Sequence, residues 1–121
     1  MGLIDRGSSS VEFALILPAV VLLVVAIIET ASAAQLHVQV THAAREGARA
    51  AATIADPDTV IETTARALGA HAASARITVE RTWIVGSPAV VRIEVPHRVF
   101  SRILGGFELV LRGEATMRVE G

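Results

Sequence analysis

The stretch FALILPAVVLLVVAII, residues 13 to 28, carries no charged side chain and decides how the rest of the chain is organised. A helix needs about 20 mostly apolar residues to cross the roughly 30 Å hydrocarbon core of a bilayer. The stretch from Val11 to about Ala31 reaches that length if Glu29 lies at the far interface. Because lipid offers no hydrogen-bond partners to backbone groups, the segment is predicted to be helical.

The helical pattern continues beyond this apolar segment. Residues 37 to 53, HVQVTHAAREGARAAAT, are rich in alanine and contain no proline. Small side chains recur there every four residues, which makes a stripe along which another backbone can approach closely. The predicted packing stripe consists of Ala43, Ala44, Gly47, Ala48 and Ala51. We therefore predict one continuous helix from about Ser9 to Thr53.

The C-terminal half of the sequence predicts a small α+β domain over residues 54–121. Asp56 and Pro57 are typical of a helix start, and Gly69 is typical of a helix end. Farther along, apolar and polar residues alternate in three runs separated by turn residues, which indicates an antiparallel sheet of three strands. Pro96 is expected to end the second strand. The sheet is predicted to pack on the two helices, since three strands alone are marginally stable.

Composition excludes several classes of function. The 121 residues are 52% apolar and carry a net charge of −1, with acids and bases interspersed, which argues against a nucleic-acid-binding surface. The chain has no cysteine, so disulfides and thiolate metal sites are excluded. No set of side chains converges on a catalytic pattern, and we predict neither enzymatic activity nor a cofactor.

Histidine and tryptophan give no strong site. His37 and His42 are five residues apart on the predicted helix, so they share a face poorly, and a metal site is not predicted. Trp83 is the only tryptophan. It is expected either to pack in the domain core or to contact a partner.

The apolar segment near the N-terminus has three interpretations. One is a secretory signal peptide cleaved after Ala33, because Ala31-Ser32-Ala33 fits the small-x-small pattern of such sites. Against it, the segment is long for a signal peptide, Arg6 is its one preceding base, and Glu29 lies close to the proposed cut. The second is a membrane anchor without processing. The third is a leader like that of type IV prepilins.

The third interpretation depends on RGSSSVEF, residues 6 to 13. A short polar leader ends in Gly7, and Glu12 follows at the start of the apolar run, where a carboxylate in lipid needs a partner. Cleavage between Gly7 and Ser8 creates an α-amine one helical turn from Glu12, available to the same chain or to a neighbour. Alternatively, Glu12 lies solvated in the headgroup layer, where the positive end of the helix dipole favours it.

Three blocks of the sequence together resemble the TadE-like pseudopilins of the tight-adherence (Flp) pilus system. The blocks are RGSSSVEFALILPAVVLLVVAIIE, HAAREGARAAAT and GEATMRVE. The first is the most specific, because Gly7 followed by four residues, Glu12 and an aromatic residue matches the site that the family's prepilin peptidase recognises. The family often has tyrosine where this chain has Phe13.

This resemblance implies a pilin-like chain with three parts: a cleaved cytoplasmic leader of residues 1–7, a long helix of residues 8–53 that spans the inner membrane over about 11–31, and the α+β domain in the periplasm or outside the cell. The mature chain would begin at Ser8 and serve as a minor, non-catalytic subunit. The implied partners are the prepilin peptidase, the major Flp pilin, other pseudopilins and the inner-membrane assembly platform. The alternative is a secreted soluble α+β binding module released after Ala33.

Overall fold

A computed structural model of the chain describes residues 2–100 and 105–121. In these residues it shows two α-helices, a short 3-10 helix and three strands, which confirms the predicted α+β fold. In chain order the elements are α1 (Gly2–Thr53), α2 (Pro57–Leu68), the 3-10 helix (Gly69–Ser74), β1 (Arg76–Glu80), β2 (Pro88–Val99) and β3 (Phe107–Arg118). The chain divides into two compact units, an N-terminal unit of residues 1–32 and a C-terminal unit of residues 33–121.

Helix α1 begins earlier than predicted. The predicted start near Ser9 is wrong, because the backbone is already helical from Gly2. Serine favours the N-cap position of a helix. The residues before Ser9 contain no proline, however, and therefore nothing in them forces the helix to begin there.

The N-terminal unit is a helix whose large apolar side chains are mostly exposed between Val11 and Ile28; Leu15, for example, has 74% of its surface exposed. The hydroxyl of Thr30 donates to the carbonyl of Ala26 at 2.8 Å, so this polar group is satisfied within the helix. In the described part of the chain, α1 is the helix long and apolar enough to cross a membrane. A helix that is apolar on all sides needs an apolar environment around it.

The C-terminal unit is built on a sheet with the strand order β1–β2–β3, in which both neighbouring pairs are antiparallel. The register places Ile77 opposite Ile93, and Ile93 opposite Gly113. On β2, the side chains of Val91, Ile93 and Val95 are buried on one face. The predicted antiparallel sheet of three strands is confirmed.

Helices α1 and α2 cover the buried face of the sheet. From α1 the core contains mostly small side chains, namely Leu36, Val40, Ala43, Ala44, Ala48 and Ala51. From α2 it contains Val60 and Leu68. The second half of α1 and α2 thus supply the cover that so small a sheet requires.

Helix α2 is capped as its sequence predicts. The Asp56 carboxylate accepts the backbone N–H of Thr59 at 3.2 Å and its hydroxyl at 2.6 Å. The hydrogen bond from the Thr59 hydroxyl is the main reason that the pKa of Asp56 is lowered from its ordinary value. Gly69 ends the helix with a φ of 60°, a conformation that glycine adopts at little cost.

Pro96 does not end the second strand, so that prediction is wrong. Strand β2 continues to Val99, and Pro96 pairs with Val110 of β3. Pairing between β1 and β2 extends only to Glu94, so at Pro96 the strand has a neighbour on one side only. Proline is tolerated there because its missing N–H can face the unpaired side.

Candidate functional site

The predicted cleavage and docking residues lie in the helix of the N-terminal unit. Gly7, Ser8, Glu12 and Phe13 are all exposed. A Cβ built on Gly7 would meet no atom within 4 Å. The Ser8 hydroxyl lies 3.4 Å from a carboxylate oxygen of Glu12, one helical turn away. Residues four apart share a helix face, so the structure brings Ser8 and Glu12 together.

The stripe of small residues lies inside the C-terminal unit. Ala43, Ala44, Ala48 and Ala51 have no exposed surface. A Cβ built on Gly47 would collide with Thr64 Oγ1 of α2 and would lie 3.0 Å from Val91 Cγ1 of β2. The helix packing that the stripe supports in this structure is therefore intramolecular: it lets α1 approach α2 and the sheet.

Gly113 of β3 makes an equally close approach, which the sequence analysis missed. A Cβ built on Gly113 would lie 2.8 Å from Val40 Cγ1 and 3.0 Å from the Val40 carbonyl oxygen. Strand β3 therefore lies almost directly against α1. The available signal was a glycine inside a predicted strand, since such a glycine often marks the close approach of another backbone.

The outer face of the sheet carries a ladder of ion pairs. The Arg92 guanidinium lies 2.7 Å from Glu114 and 2.6 Å from Glu80, and Arg112 lies 3.4 Å from Glu94. The hydrogen bond and the charge of Glu114 raise the pKa of Arg92, with a further contribution from Glu80. Because the signs alternate, this face lacks the clustered positive charge that nucleic-acid binding requires.

His37 and His42 are not grouped with further ligands. They lie with Thr41 and Arg45 along one stretch of α1. Within residues 2–100 and 105–121, no three side chains of His, Cys, Asp or Glu are placed so that they could hold a metal ion.

Two groups of exposed apolar side chains stand out among the described residues of the C-terminal unit. The first, which we call the Trp83 loop, lies between β1 and β2 and consists of Trp83, Ile84 and Val85. Trp83 is 81% exposed, so packing in the core, one of its two expected environments, is wrong. The loop is attached to the end of α1, because Arg81 Nε donates to the Ala51 carbonyl at 2.7 Å. The Arg81 guanidinium also lies 5.9 Å from the centre of the Trp83 ring.

The second apolar surface, which we call the hairpin end, consists of Phe107, Leu109 and Val110. These residues begin β3, and their partners in the register are Val99, His97 and Pro96 of β2. Because β1 pairs with β2 only up to Glu94, the hairpin end extends past β1. The alternation of apolar and polar residues predicts a strand at Leu109 and Val110 but gives no sign of an exposed apolar surface.

Residues 7–49 match the model of a protein family described as TadE-like protein. The match spans about a third of the chain and confirms the resemblance inferred from the sequence; the TadE-like family is a family of structural proteins associated with the Tad pilus. It includes the predicted cleavage site, the apolar segment and most of the small-residue stripe. No curated protein and no solved structure matches the chain.

Proposed function

We propose that this TadE-like chain is a minor pseudopilin: a membrane-anchored subunit that a prepilin peptidase cuts between Gly7 and Ser8 and that takes part in assembling a Tad pilus. The observation that carries the proposal is the position of Glu12 at the start of an exposed apolar helix, within the region that matches the family.

Glu12 would gain a charged partner on cleavage. In the uncut chain the Ser8 hydroxyl is a weak neutral donor, 3.4 Å from the carboxylate. Cutting before Ser8 would place an ammonium group on the residue one helical turn from Glu12. Charge-assisted hydrogen bonds are roughly twice as strong as neutral ones, and a pair of this kind offsets the cost of a carboxylate in lipid. The new amine could serve the same chain or a neighbouring subunit.

The apolar segment would hold the chain in the inner membrane. Its large side chains are exposed in the N-terminal unit, so they gain free energy when lipid or other apolar helices surround them. Arg6 precedes the segment, and a base on that side favours a cytoplasmic N-terminus. The C-terminal unit would then lie in the periplasm or outside the cell.

The proposed partners follow from this arrangement. The prepilin peptidase would act on the bond after Gly7, and the inner-membrane assembly platform would receive the mature subunit. The major Flp pilin and other pseudopilins would pack their own apolar helices against residues 11–31. The core of the C-terminal unit consists of residues of that unit, from Leu36 to Val119.

A second candidate function is a secreted binding module released after Ala33. One structural observation favours it, because the boundary between the two compact units falls between Ser32 and Ala33. Cleavage after Ala33, one residue beyond this boundary, would keep all core residues of the C-terminal unit, which begin at Leu36.

Mass spectrometry of the mature N-terminus in cells that contain the prepilin peptidase distinguishes the two functions. We expect a chain beginning at Ser8 that remains with the membrane. Gly7→Leu should abolish this cleavage, whereas Gly2→Leu in the same leader is the matched control and should not. A chain beginning at Ala34 in the soluble fraction would refute the pseudopilin proposal, and an intact leader on the membrane protein would refute the cleavage step.

A further inference from the structure

We propose that the free edge of strand β3 is a self-association surface, along which two copies of this chain pair antiparallel about a two-fold axis at Gly113. The partner is a second copy, and the pairing would join two three-stranded sheets into one continuous sheet. The inference goes beyond the proposed function and does not rest on it, because the surface lies entirely within the C-terminal unit.

Strand β3 is an edge strand. In the part of the chain that the structure describes, β3 pairs with β2 on one side and has no strand on its other side. It runs over 12 residues, whereas β1, at the opposite edge of the sheet, has 5. Its sequence, FELVLRGEATMR, contains neither proline nor lysine, the residues that commonly protect an edge from pairing with another chain. Strand β3 therefore offers a long row of backbone donors and acceptors to a further strand.

The charges on the outer face of β3 are complementary to themselves about this axis. With Gly113 opposite its own copy, Arg112 lies opposite Glu114 of the second copy. Glu108, nearer the start of the strand, lies opposite Arg118 of the second copy. The two-fold axis makes each of these pairs twice, as in any interface between identical surfaces. Opposite charges directly across an antiparallel pair of strands stabilise it, so all four charges favour this pairing.

The neighbouring registers lack this complementarity. Moving the two-fold axis one residue toward the N-terminus puts Arg112 opposite its own copy. Moving it one residue toward the C-terminus puts Glu114 opposite its own copy. Like charges directly opposite each other destabilise a strand pair, and here they would lie at the centre of the interface. The charge pattern thus selects the register at Gly113 over the register on either side.

The inner face of β3, which includes Gly113, is also complementary to itself. The same axis puts Leu109 opposite Met117 of the second copy and Leu111 opposite Ala115. Leu109 and Met117 are 46% and 39% exposed in the single chain, so each would lose apolar surface to water on pairing. Apolar side chains therefore face apolar ones in the register that the charges select, and Leu109 of the hairpin end gains a neighbour.

The ion-pair ladder on the outer face would continue across the axis. Within one chain, Arg92 joins Glu80 at 2.6 Å to Glu114 at 2.7 Å, and the row reaches β3 at Glu114. Arg112 has a longer contact, 3.4 Å to Glu94, and its side chain is 75% exposed. Arg112 of the second copy would lie beside Glu114 and extend the row into the second sheet. A network of several charges contributes more than isolated surface pairs do.

Two reciprocal charge variants test the pairing. Sedimentation equilibrium of the full-length chain in detergent, where two anchors need not share one bilayer, measures the dimer dissociation constant. Arg112→Glu brings like charges together at both copies of the central pair, and so does Glu114→Arg. We expect each variant alone to dimerise about tenfold more weakly than the wild type. Arg66→Glu, the same charge change on α2, is the matched control and should dimerise like the wild type.

A mixture of the two charge variants provides the decisive measurement. Each variant then presents its new charge to the opposite charge of the other, so the mixed dimer should form about as tightly as the wild-type dimer. Both variants have lost ion pairs within their own chain, with Glu94 or with Arg92. Loss of those pairs alone weakens dimerisation in the mixture as well, and it does not predict this rescue.

Cysteine cross-linking tests the register. The chain has no cysteine, and Val110 and Thr116 are exposed on β3. In the proposed register they lie opposite each other, with Cβ atoms about 5 Å apart. Mild oxidation of a mixture of Val110→Cys and Thr116→Cys should give a mixed disulfide dimer, whereas neither variant alone should cross-link. Thr78→Cys, at the middle of β1, is the control for pairing through the other edge of the sheet.

Three results would overturn the inference. The first is a wild-type chain that stays monomeric at every concentration. The second is a dimer that neither charge variant weakens, which would place the contact away from β3, for instance between the apolar helices of the N-terminal units. The third is cross-linking of Thr78→Cys without cross-linking of the mixed pair on β3, which would assign the contact to β1. None of these results bears on cleavage after Gly7 or on the membrane anchor.

Discussion

The two halves of helix α1 share one continuous backbone but differ in the size and exposure of their apolar side chains. Between Val11 and Ile28 the apolar side chains are mostly large and exposed, whereas between Leu36 and Ala52 they are mostly small and buried. Large exposed side chains gain free energy from whatever medium surrounds them, at about 25 cal/mol per Å² of apolar surface. Small buried ones contribute little area, but they allow a sheet and a second helix to approach closely.

The two halves therefore differ both in hydropathy and in the size of their apolar side chains. Residues 13–28 carry no charge, and their large apolar side chains are mostly exposed, whereas the second half carries Arg45, Glu46 and Arg49 on its polar side and buries small apolar side chains in a folded core. Burial of the large exposed side chains of the first half in lipid would be favourable, as it is for a single-pass membrane anchor. The second half buries most of its apolar surface against α2 and the sheet of the same chain.

The strongest test of the first half is Glu12→Ala, which should leave cleavage after Gly7 possible but reduce incorporation into the pilus. Without the carboxylate, the new amine at Ser8 would remain unpaired in an apolar interface, at a cost of about 3 kcal/mol or roughly 100-fold in incorporation. Quantitative immunoblotting of sheared pili measures this, with mass spectrometry to confirm the cut. Glu29→Ala, at the other end of the apolar segment, is the matched control and should incorporate nearly normally. Normal incorporation of the Glu12→Ala variant would contradict a docking role for this acid.

The two halves should differ sharply in their response to replacement of a glycine. Gly47→Leu forces a large side chain against Thr64 and Val91, so we expect a loss of about 3 kcal/mol or more in the unfolding free energy of the C-terminal unit. Gly7→Leu adds the same side chain where a Cβ meets nothing within 4 Å. Thermal unfolding of the uncut chain in detergent should therefore show no loss for Gly7→Leu. Equal stability of the two variants would mean that Gly47 is not at a close contact.

Sequence reasoning found the helices and strands because their signals are local. The repeat of small residues in α1, the Asp56 cap and the alternation in β1 to β3 each lie within a few neighbouring positions. The contact between Gly113 and Val40 joins residues 73 positions apart, and no local pattern encodes it. The continuation of β2 through Pro96 likewise depends on where pairing with β1 stops.

The candidate site also has parts with a local sequence signal and parts that depend on long-range contacts. The pattern of Gly7, Glu12 and Phe13 is contiguous, so it could be recognised directly, and the family match covers it. The partner of the small-residue stripe could not be identified from sequence, because the spacing is the same for a neighbouring subunit and for the chain's own sheet. Trp83 shows the same limit, since an aromatic residue near a strand end fits a core as well as a surface.

Two valine-to-alanine variants compare the two halves of α1 by a smaller change in unfolding free energy. Val40 is fully buried, and Val40→Ala should lower the unfolding free energy of the C-terminal unit by about 2 kcal/mol, from two lost carbon groups and the cavity they leave. Val21 is exposed in the N-terminal unit, so Val21→Ala should leave that free energy unchanged. Urea unfolding of both variants in the same detergent gives the two values. A loss of stability in Val21→Ala as large as in Val40→Ala would show that the two halves are not energetically separate.

The smallest expected effect concerns pH and belongs to the C-terminal unit alone. The pKa of Asp56 is lowered in the folded chain from its ordinary value of 3.8, chiefly by the Thr59 hydroxyl. The charged cap therefore stabilises the fold fully above the unfolded pKa, and this contribution disappears as the pH falls through the lowered folded pKa. Asp56→Asn keeps an oxygen acceptor for the cap but cannot titrate, so its melting temperature should fall less than that of the wild type between pH 5 and pH 3. Asp58→Asn, in the same helical turn, controls for the loss of one negative charge. Identical pH profiles for the wild type and Asp56→Asn would show that the ionised cap contributes nothing to stability that the amide does not.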